Sequence, residues 1–193
     1  VHVDSDYAGC LRTRKSTSGG IITIGEHAIK HWNSTQSAIA LSSGEAEYCA
    51  IVKGGASAMS VKGFVIDLGI EYEGIDVGVK HEVEIHTDFT AAKAIRRGVG
   101  KVRHIEVAEL WIQDKVSKGV MKIRKVKGIE NPADIMTKPK SVGEAIRVME
   151  QVGFHPKVRA ARNLETAVGF VQRVLMGASL LSPSGAKASE WFT

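Results

Sequence analysis

The chain has 193 residues, of which 44% are apolar and 24% are charged, as expected for one globular domain with a full core and room for an appendage. Lysines and arginines outnumber aspartates and glutamates by 26 to 21, for a net charge of +5, which favours a polyanionic partner without identifying one. The two cysteines, Cys10 and Cys49, exclude a disulfide framework, and no Cys/His zinc spacing is present.

Several features of the sequence bear on the cellular compartment of the protein. So few cysteines favour a reducing, intracellular compartment. The sequence has no signal peptide and no uninterrupted apolar run long enough to span a bilayer, so we expect an intracellular protein with no membrane partner. The chain begins at Val1 rather than at a methionine, and we therefore expect it to be a piece of a longer protein.

The first third of the chain predicts three short strands followed by a long helix. The strands are predicted at residues 1–4, 21–24 and 28–32. A turn-rich, basic loop at residues 7–20 precedes the second strand, and a tight turn at Gly25–Glu26 joins the second and third into a hairpin. The helix is predicted from about residue 43 to 68. We expect it to bend or fray at Gly54–Gly55, because a glycine in a helix interior costs about 1 kcal/mol relative to alanine.

The middle of the chain predicts alternating helices and strands. The elements are a strand at 83–88, helices at 90–97 and 104–118, a strand at 120–126 and a short helix at 131–137. A hairpin followed by such units predicts an α/β fold, with a mixed sheet and helices packed on it.

The rest of the chain, residues 141–193, is predicted to be a separate C-terminal extension of unknown role beside a main domain at 1–140. Ser141–Glu144 forms a capping box that opens an amphipathic helix. A second amphipathic run follows at 164–175, and residues 182–188 are expected to be disordered.

The segment at residues 40–50 predicts the start of a helix with a carboxylate beside its buried face. Ser42 and Ser43 can accept hydrogen bonds from the first free N–H groups of that helix. Glu45 and Glu47 point about 200° apart around a helix, so only one of them can face a common site. Glu47 borders the apolar stripe and is our choice. A partner is expected for it, because an isolated buried charge is costly.

Four acidic residues occupy positions from which they could share one site. They are Asp4 on the first strand, Glu47, Asp88 at the end of a later strand, and Asp134 in the last short helix. Each alone has an ordinary explanation as a solvated or helix-start acid. Together they need cations to stay ionised, and Mg²⁺ suits a few carboxylates combined with phosphate. Asp6 is an alternative to Asp4, because the side-chain period of two puts both on one face of a strand.

Blocks of sequence between Val3 and Pro139 stand in the order and at the spacing of a known family. They are Asp4–Gly9, Arg14–Gly19, Trp32 with Gln36, Ala40–Tyr48, Asp88, Arg103–Glu106 and Ala133–Pro139. In these blocks, over about seven-tenths of its length, the chain resembles the ribonuclease H domain at the end of the polyprotein of copia-type LTR retrotransposons. It departs from the family pattern at Phe89, where Asn is common. It also lacks, at residues 127–131, the loop histidine of cellular ribonucleases H.

The resemblance implies a ribonuclease H-like fold, with a mixed five-stranded sheet and helices on both faces, and hydrolysis of the RNA strand of RNA–DNA hybrids. It implies that Asp4, Glu47, Asp88 and Asp134 are the catalytic carboxylates and hold two Mg²⁺ ions, with Mn²⁺ as a substitute. One ion would activate water for in-line attack on the phosphate, and the other would stabilise the leaving 3′ oxygen. It further implies an upstream reverse transcriptase domain in the same polyprotein, acting in cytoplasmic virus-like particles, in the nucleus or in both.

Contacts with the hybrid are also implied. The residues that would make them are Arg14, Lys15, Ser16, Gln36, Arg103 and His104. Further basic residues could grip phosphates or simply face solvent; they are Arg12, Lys93, Arg96, Arg97 and Lys101. Trp32 is expected in the core.

Two other functions are compatible with the same sequence. One is a catalytically decayed remnant that keeps the fold and binds nucleic acid. The other is a DNA strand-transfer enzyme of the same superfold, which the absence of a zinc-binding Cys/His segment disfavours.

Overall fold

A mixed five-stranded sheet forms the centre of the structure, a computed structural model that describes residues 1–69, 82–88 and 106–155. The strands are β1 His2–Ser5, β2 Thr17–Ile24, β3 His27–Thr35, β4 Val83–Thr87 and β5 Met121–Lys125. They lie in the order β3-β2-β1-β4-β5. β1, β2 and β3 pair antiparallel, whereas β4 pairs parallel with both β1 and β5. The predicted α/β class is therefore confirmed, and the architecture is that of a ribonuclease H-like fold.

Three α-helices and two short 3₁₀ helices belong to the described residues. They are α1 Ser43–Asp67, α2 Glu106–Ser117, α3 Val142–Gln151 and the 3₁₀ helices Gly128–Glu130 and Pro132–Met136. The last of these was predicted as a short helix, with Asn131 as its cap, and Asn131 does accept a hydrogen bond from the Ala133 N–H at 3.2 Å. The predicted helix at 90–97 and the runs at 164–175 and 182–188 lie outside the described residues.

Helical elements cover both faces of the sheet. Ile21 and Ile22 are consecutive on β2, so their side chains point to opposite faces. Ile22 joins the larger core beneath α1 together with Val3 and Ile85. Ile21 joins a second core, formed with α3 and the 3₁₀ helix Pro132–Met136. α3 thus shares a core with the sheet, and the division of the chain at residue 140 stays a prediction.

α1 continues without interruption through Gly54 and Gly55, so the predicted fraying there was wrong. A Cβ on Gly54 would lie 2.3 Å from Val3 Cγ1 on β1. A Cβ on Gly55 would lie 3.1 Å from Ile112 Cδ1 on α2. The two glycines let α1 approach its neighbours closely, and this packing offsets their low helix propensity.

α1 is also long enough to span a membrane, and its most apolar stretch of 18 residues has a mean hydropathy of 1.3. In this structure, however, one face of α1 lies across β1, β2 and β4. Ala46, Ala50 and Ile51 on that face are buried. α1 therefore packs on the sheet by one face, and 28% of its most apolar stretch is buried. Trp32 packs against the same core from β3, as predicted.

We predict opposite effects of alanine at two glycines of α1. Gly54→Ala should lower the free energy of unfolding by about 1–3 kcal/mol, because the new methyl group collides with Val3. Gly63→Ala should raise it by about 0.5–1 kcal/mol, because none of the described atoms lies within 4 Å of a Cβ built there. Urea unfolding of both variants measures the difference. Equal effects of the two substitutions would contradict the close approach of α1 to β1.

Candidate metal centre

Two of the predicted site carboxylates come from neighbouring parallel strands. Asp4 lies on β1, and Asp88 directly follows β4. β1 and β4 pair with His2 opposite His86, so the same register places Asp4 beside Asp88. The carboxyl ends of parallel strands are where ligands commonly bind in α/β folds.

The third carboxylate, Glu47, comes from the first turns of α1. Ser42 caps this helix by accepting a hydrogen bond from the Glu45 N–H at 3.2 Å. The Glu45 carboxylate turns back and accepts from the Leu41 N–H at 2.7 Å. Glu47 Oε1 accepts instead from the Ser5 N–H at the end of β1, at 3.3 Å. Of the two glutamates, Glu47 therefore faces the sheet.

Asp4 and Asp6, which the sequence leaves as alternatives, have different surroundings. Asp4 is only 1% exposed. Asp6 is half-buried, and its Oδ1 accepts from the Thr17 N–H at 2.6 Å. Asp6 thus ties the loop after β1 to the start of β2, and Asp4 is the β1 carboxylate that lies beside Glu47 and Asp88.

Asp4, Glu47 and Asp88 form one carboxylate cluster. One oxygen of each lies within 4.8 Å of the others. Asp4 Oδ1 and Glu47 Oε2 are buried and have no hydrogen-bond partner, whereas buried polar atoms normally have one. Hard divalent cations bind oxygen ligands of this kind. The cluster therefore fits a divalent cation.

Burial and mutual repulsion raise the pKa of both buried acids. Burial is the largest cause for Glu47, and the charges of Asp4 and Asp88 add to it, so that its pKa rises to about 8. Burial also raises the pKa of Asp4, to about 6, against the opposing effects of Thr137 and Lys138. Without a cation, the cluster therefore holds protons near neutral pH.

Asp134 lies next to this cluster but is held by two lysines. Lys138 Nζ donates to Asp134 Oδ1 at 2.6 Å and lies 3.5 Å from Asp4 Oδ2. Lys140 Nζ pairs with Asp134 Oδ2. Burial alone would raise the pKa of Asp134, but the hydrogen bonds from the two lysines lower it overall. Asp134 is not one of the three clustered ligands, and its role at a metal stays a prediction.

Two of the residues predicted to contact the hybrid make internal hydrogen bonds. Ser16 is fully buried, and its Oγ accepts from the Ala8 N–H at 2.9 Å. Gln36 Nε2 donates to Ser18 Oγ at 2.9 Å and to Ala46 O at 2.8 Å. These contacts support roles in shaping the site, and direct contact with a substrate stays a prediction for both residues.

The remaining predicted contacts are basic. Arg14 is exposed and Lys15 half-buried, in the loop that leaves β1 at the end nearest the carboxylates. Arg14 also has a positive φ of 57°. Arg103 and His104 lie outside the described residues, as do Lys93, Arg96, Arg97 and Lys101.

Sequence reasoning missed three residues around Asp4 and Asp134. Lys138 and Lys140 neutralise Asp134, and Thr137 Oγ1 donates to Asp4 Oδ2. The sequence did contain a signal for the ion pair between Asp134 and Lys138. The two residues are four positions apart, a spacing that pairs opposite charges on a helix.

The chain is similar to segments of retrovirus-related Pol polyproteins from plant transposons. It is 31% identical over 159 residues to the retrovirus-related Pol polyprotein from transposon TNT 1-94 of Nicotiana tabacum, covering 80% of the chain and 11% of that relative. It is 26% identical over 144 residues to those from transposons RE2 and RE1 of Arabidopsis thaliana, covering 73% of the chain and 9% of each relative. No protein-family model matches the chain, and no solved structure matches it significantly. The chain corresponds to a region of a retrotransposon Pol polyprotein and spans about a tenth of the length of these relatives.

We predict that the ion-free protein loses stability as the pH rises from about 4.5 to about 8. Glu47 has a higher pKa folded than unfolded, so the folded state binds more protons in this range and stability falls with pH, by up to a few kcal/mol. Glu47→Gln should flatten this slope and stabilise the protein at pH 8. Thermal unfolding in EDTA across this range measures both effects.

Glu45→Gln is the matched control for that substitution, because Glu45 lies two residues away and bonds Leu41 instead of the cluster. It should leave the pH slope unchanged. A Glu47→Gln protein with the same slope as the original would contradict the buried position of Glu47.

Proposed function

We propose that this region of a retrotransposon Pol polyprotein is its ribonuclease H domain, which hydrolyses the RNA strand of RNA–DNA hybrids with two Mg²⁺ ions. The observation that carries the proposal is the cluster of Asp4, Glu47 and Asp88, whose oxygens lie within 4.8 Å of one another. Two of its oxygens are buried without a partner. A group of this composition suits Mg²⁺, which binds through carboxylates and keeps positions for water and phosphate.

The ligands proposed for the metal are Asp4, Glu47 and Asp88, with Asp134 joining at a second position. Bound Mg²⁺ would supply the activation of a water molecule and the neutralisation of charge on the leaving 3′ oxygen. The chain's own contribution is to fix the ligands. The Ser5 N–H orients Glu47, and the Thr137 hydroxyl orients Asp4.

A further contact joins the segment that carries Asp134 to the sheet. Asn131 is 2% exposed, and its Nδ2 donates to Val3 O on β1 at 2.8 Å. Its Oδ1 accepts from the Ala133 N–H and caps the 3₁₀ helix Pro132–Met136. The position of Asp134 relative to Asp4 is therefore fixed by a buried side chain.

The proposed substrate is consistent with the charge of the chain. The net charge is +5, and exposed basic residues such as Arg12 and Arg14 lie in the loop after β1. Lysine and arginine bind phosphates without reading sequence. Discrimination of RNA from DNA would depend on contacts to 2′-hydroxyl groups.

The proposed setting is a polyprotein in which a reverse transcriptase domain precedes this region. The named relatives are Pol polyproteins from transposons, and the chain matches about a tenth of each. We propose that the domain works inside the cell, in cytoplasmic virus-like particles, in the nucleus or in both. A decayed copy that binds nucleic acid without cutting it is the second candidate, favoured by the departure from the family pattern at Phe89.

Cleavage of a labelled RNA–DNA hybrid in Mg²⁺ tests the proposal. The protein should cut the RNA strand and leave the matching DNA duplex intact. Asp88→Asn should reduce the rate by about a hundredfold or more, because it removes one ligand charge from the site. Asp114→Asn is the matched control, since Asp114 is an exposed acid of α2 paired with Lys118, and it should cleave normally.

Three outcomes of this assay separate the candidate functions. A folded protein that cuts no faster than its Asp88→Asn variant would favour the decayed copy. Cutting at the ends of DNA duplexes would favour a strand-transfer enzyme. Cleavage that survives Asp88→Asn would exclude the carboxylate cluster as the site.

We also predict that Ca²⁺ supports binding of the hybrid but not its cleavage. Ca²⁺ accepts a looser and larger coordination shell than the octahedral shell that Mg²⁺ requires. Binding by fluorescence anisotropy and cleavage under the same conditions measure the two effects. Efficient cleavage in Ca²⁺ would contradict a site built for Mg²⁺.

A further inference from the structure

Lys138 occupies the space between the carboxylate cluster and Asp134. Its Nζ lies 2.6 Å from Asp134 Oδ1 and 3.5 Å from Asp4 Oδ2. Its backbone N–H donates to Asp134 O at 3.1 Å, so the chain that carries this ammonium group is itself anchored at Asp134. Lys138 therefore bridges two of the four predicted metal ligands.

The two carboxyl oxygens of Asp134 are both engaged. Oδ1 accepts from Lys138, and Oδ2 pairs with Lys140. In contrast, Asp4 is 1% exposed and its Oδ1 has no partner. The carboxylate oxygens that are buried without a hydrogen-bond partner thus belong to Asp4 and Glu47, and not to Asp134.

The charges also separate Asp134 from the carboxylate cluster. Ionised Asp4, Glu47, Asp88 and Asp134 carry four negative charges, and Lys138 with Lys140 supplies two positive ones. Two negative charges are left, and a single divalent cation would balance them. A second divalent ion at Asp134 would face the ammonium of Lys138 at short range, and like charges at such distances repel strongly.

We propose that Lys138 is a tethered cation that keeps Asp134 from binding metal, so that the free protein holds one divalent ion and admits a second only when Lys138 leaves Asp134. This inference rests on the proposed function, because it concerns the metal site of that reaction. A substrate phosphate would bring additional oxygen ligands for the second ion. Entry of the second ion is thereby coupled to binding of the hybrid, and Lys138 acts as a positioning residue.

Counting Mn²⁺ ions bound to the full chain without nucleic acid tests the inference. Electron paramagnetic resonance of free Mn²⁺ at low ionic strength gives both the number and the affinity of the sites. The original protein should bind one ion tightly. Lys138→Met, which keeps the length of the side chain but removes its charge, should bind a second ion at least about tenfold more tightly than the original does.

Three further variants complete the design. Lys138→Arg restores the charge and should return the count to one tight ion. Lys118→Met is the matched control, because Lys118 is exposed, pairs with Asp114 on α2 and precedes β5 at the end of the sheet opposite Asp88, and it should behave as the original does. Adding Asp134→Asn to Lys138→Met should abolish the second site and keep the first.

A measurement on the unmutated chain covers the case in which Lys138→Met does not fold. Mn²⁺ binding to the unmutated chain, followed to high Mn²⁺ concentration, should fill one tight site and a second only at concentrations at least about tenfold higher. Two sites of equal affinity would overturn the inference.

The outcomes distinguish this inference from the proposed function. Tight binding of the first ion with second-ion affinity unchanged in Lys138→Met overturns the inference alone. Loss of first-ion binding in every folded variant overturns the proposed metal site, and the inference with it.

Discussion

The site depends on one electrostatic constraint, which is that Asp4, Glu47 and Asp88 are held close together, with Asp4 buried and the other two half-buried. Isolated carboxylates in such a place would separate or stay protonated. Two contacts hold them together. The parallel pairing of β1 with β4 places Asp4 beside Asp88, and the Ser5 N–H donates a hydrogen bond to Glu47. A bound cation would offset this repulsion, so the same geometry explains the raised pKa values and the fit to a divalent cation.

Much of the fold could be predicted because its strands and helices follow local patterns. The β-branched run on β2, the glycine turn before β3 and the capping box of α3 each act over a few residues, and each is found where the sequence indicates. β2 itself begins at Thr17, so the predicted loop at 7–20 was wrong over its last four residues. The continuity of α1 through Gly54 and Gly55 could not be predicted in this way. It depends on Val3 and Ile112, which are distant in sequence, and their contact with the helix exists only in the folded chain.

In the candidate site, too, some features follow from local sequence and others depend on contacts between distant residues. Glu47 could be chosen over Glu45 from helix geometry, but Asp4 and Asp6 could not be separated until the hydrogen bond from Thr17 to Asp6 was visible. The sequence shows Lys138 and Lys140 close to Asp134. Which carboxylate each ammonium group contacts depends on how the chain folds after the 3₁₀ helix Pro132–Met136. Of the four predicted acids, Asp4, Glu47 and Asp88 lie together and Asp134 does not join them, and the lysines that hold Asp134 require coordinates to be found.

Gln36 illustrates a consequence for the interpretation of mutants. Its amide nitrogen joins β1, β2 and α1 through Ser5 Oγ at 3.3 Å, Ser18 Oγ at 2.9 Å and Ala46 O at 2.8 Å. Ala46 directly precedes Glu47, so a shorter side chain at position 36 would disturb the carboxylate indirectly. Under the proposed function, a variant with such a change and weak cleavage would resemble one that had lost a contact with RNA, although the defect would lie in the scaffold.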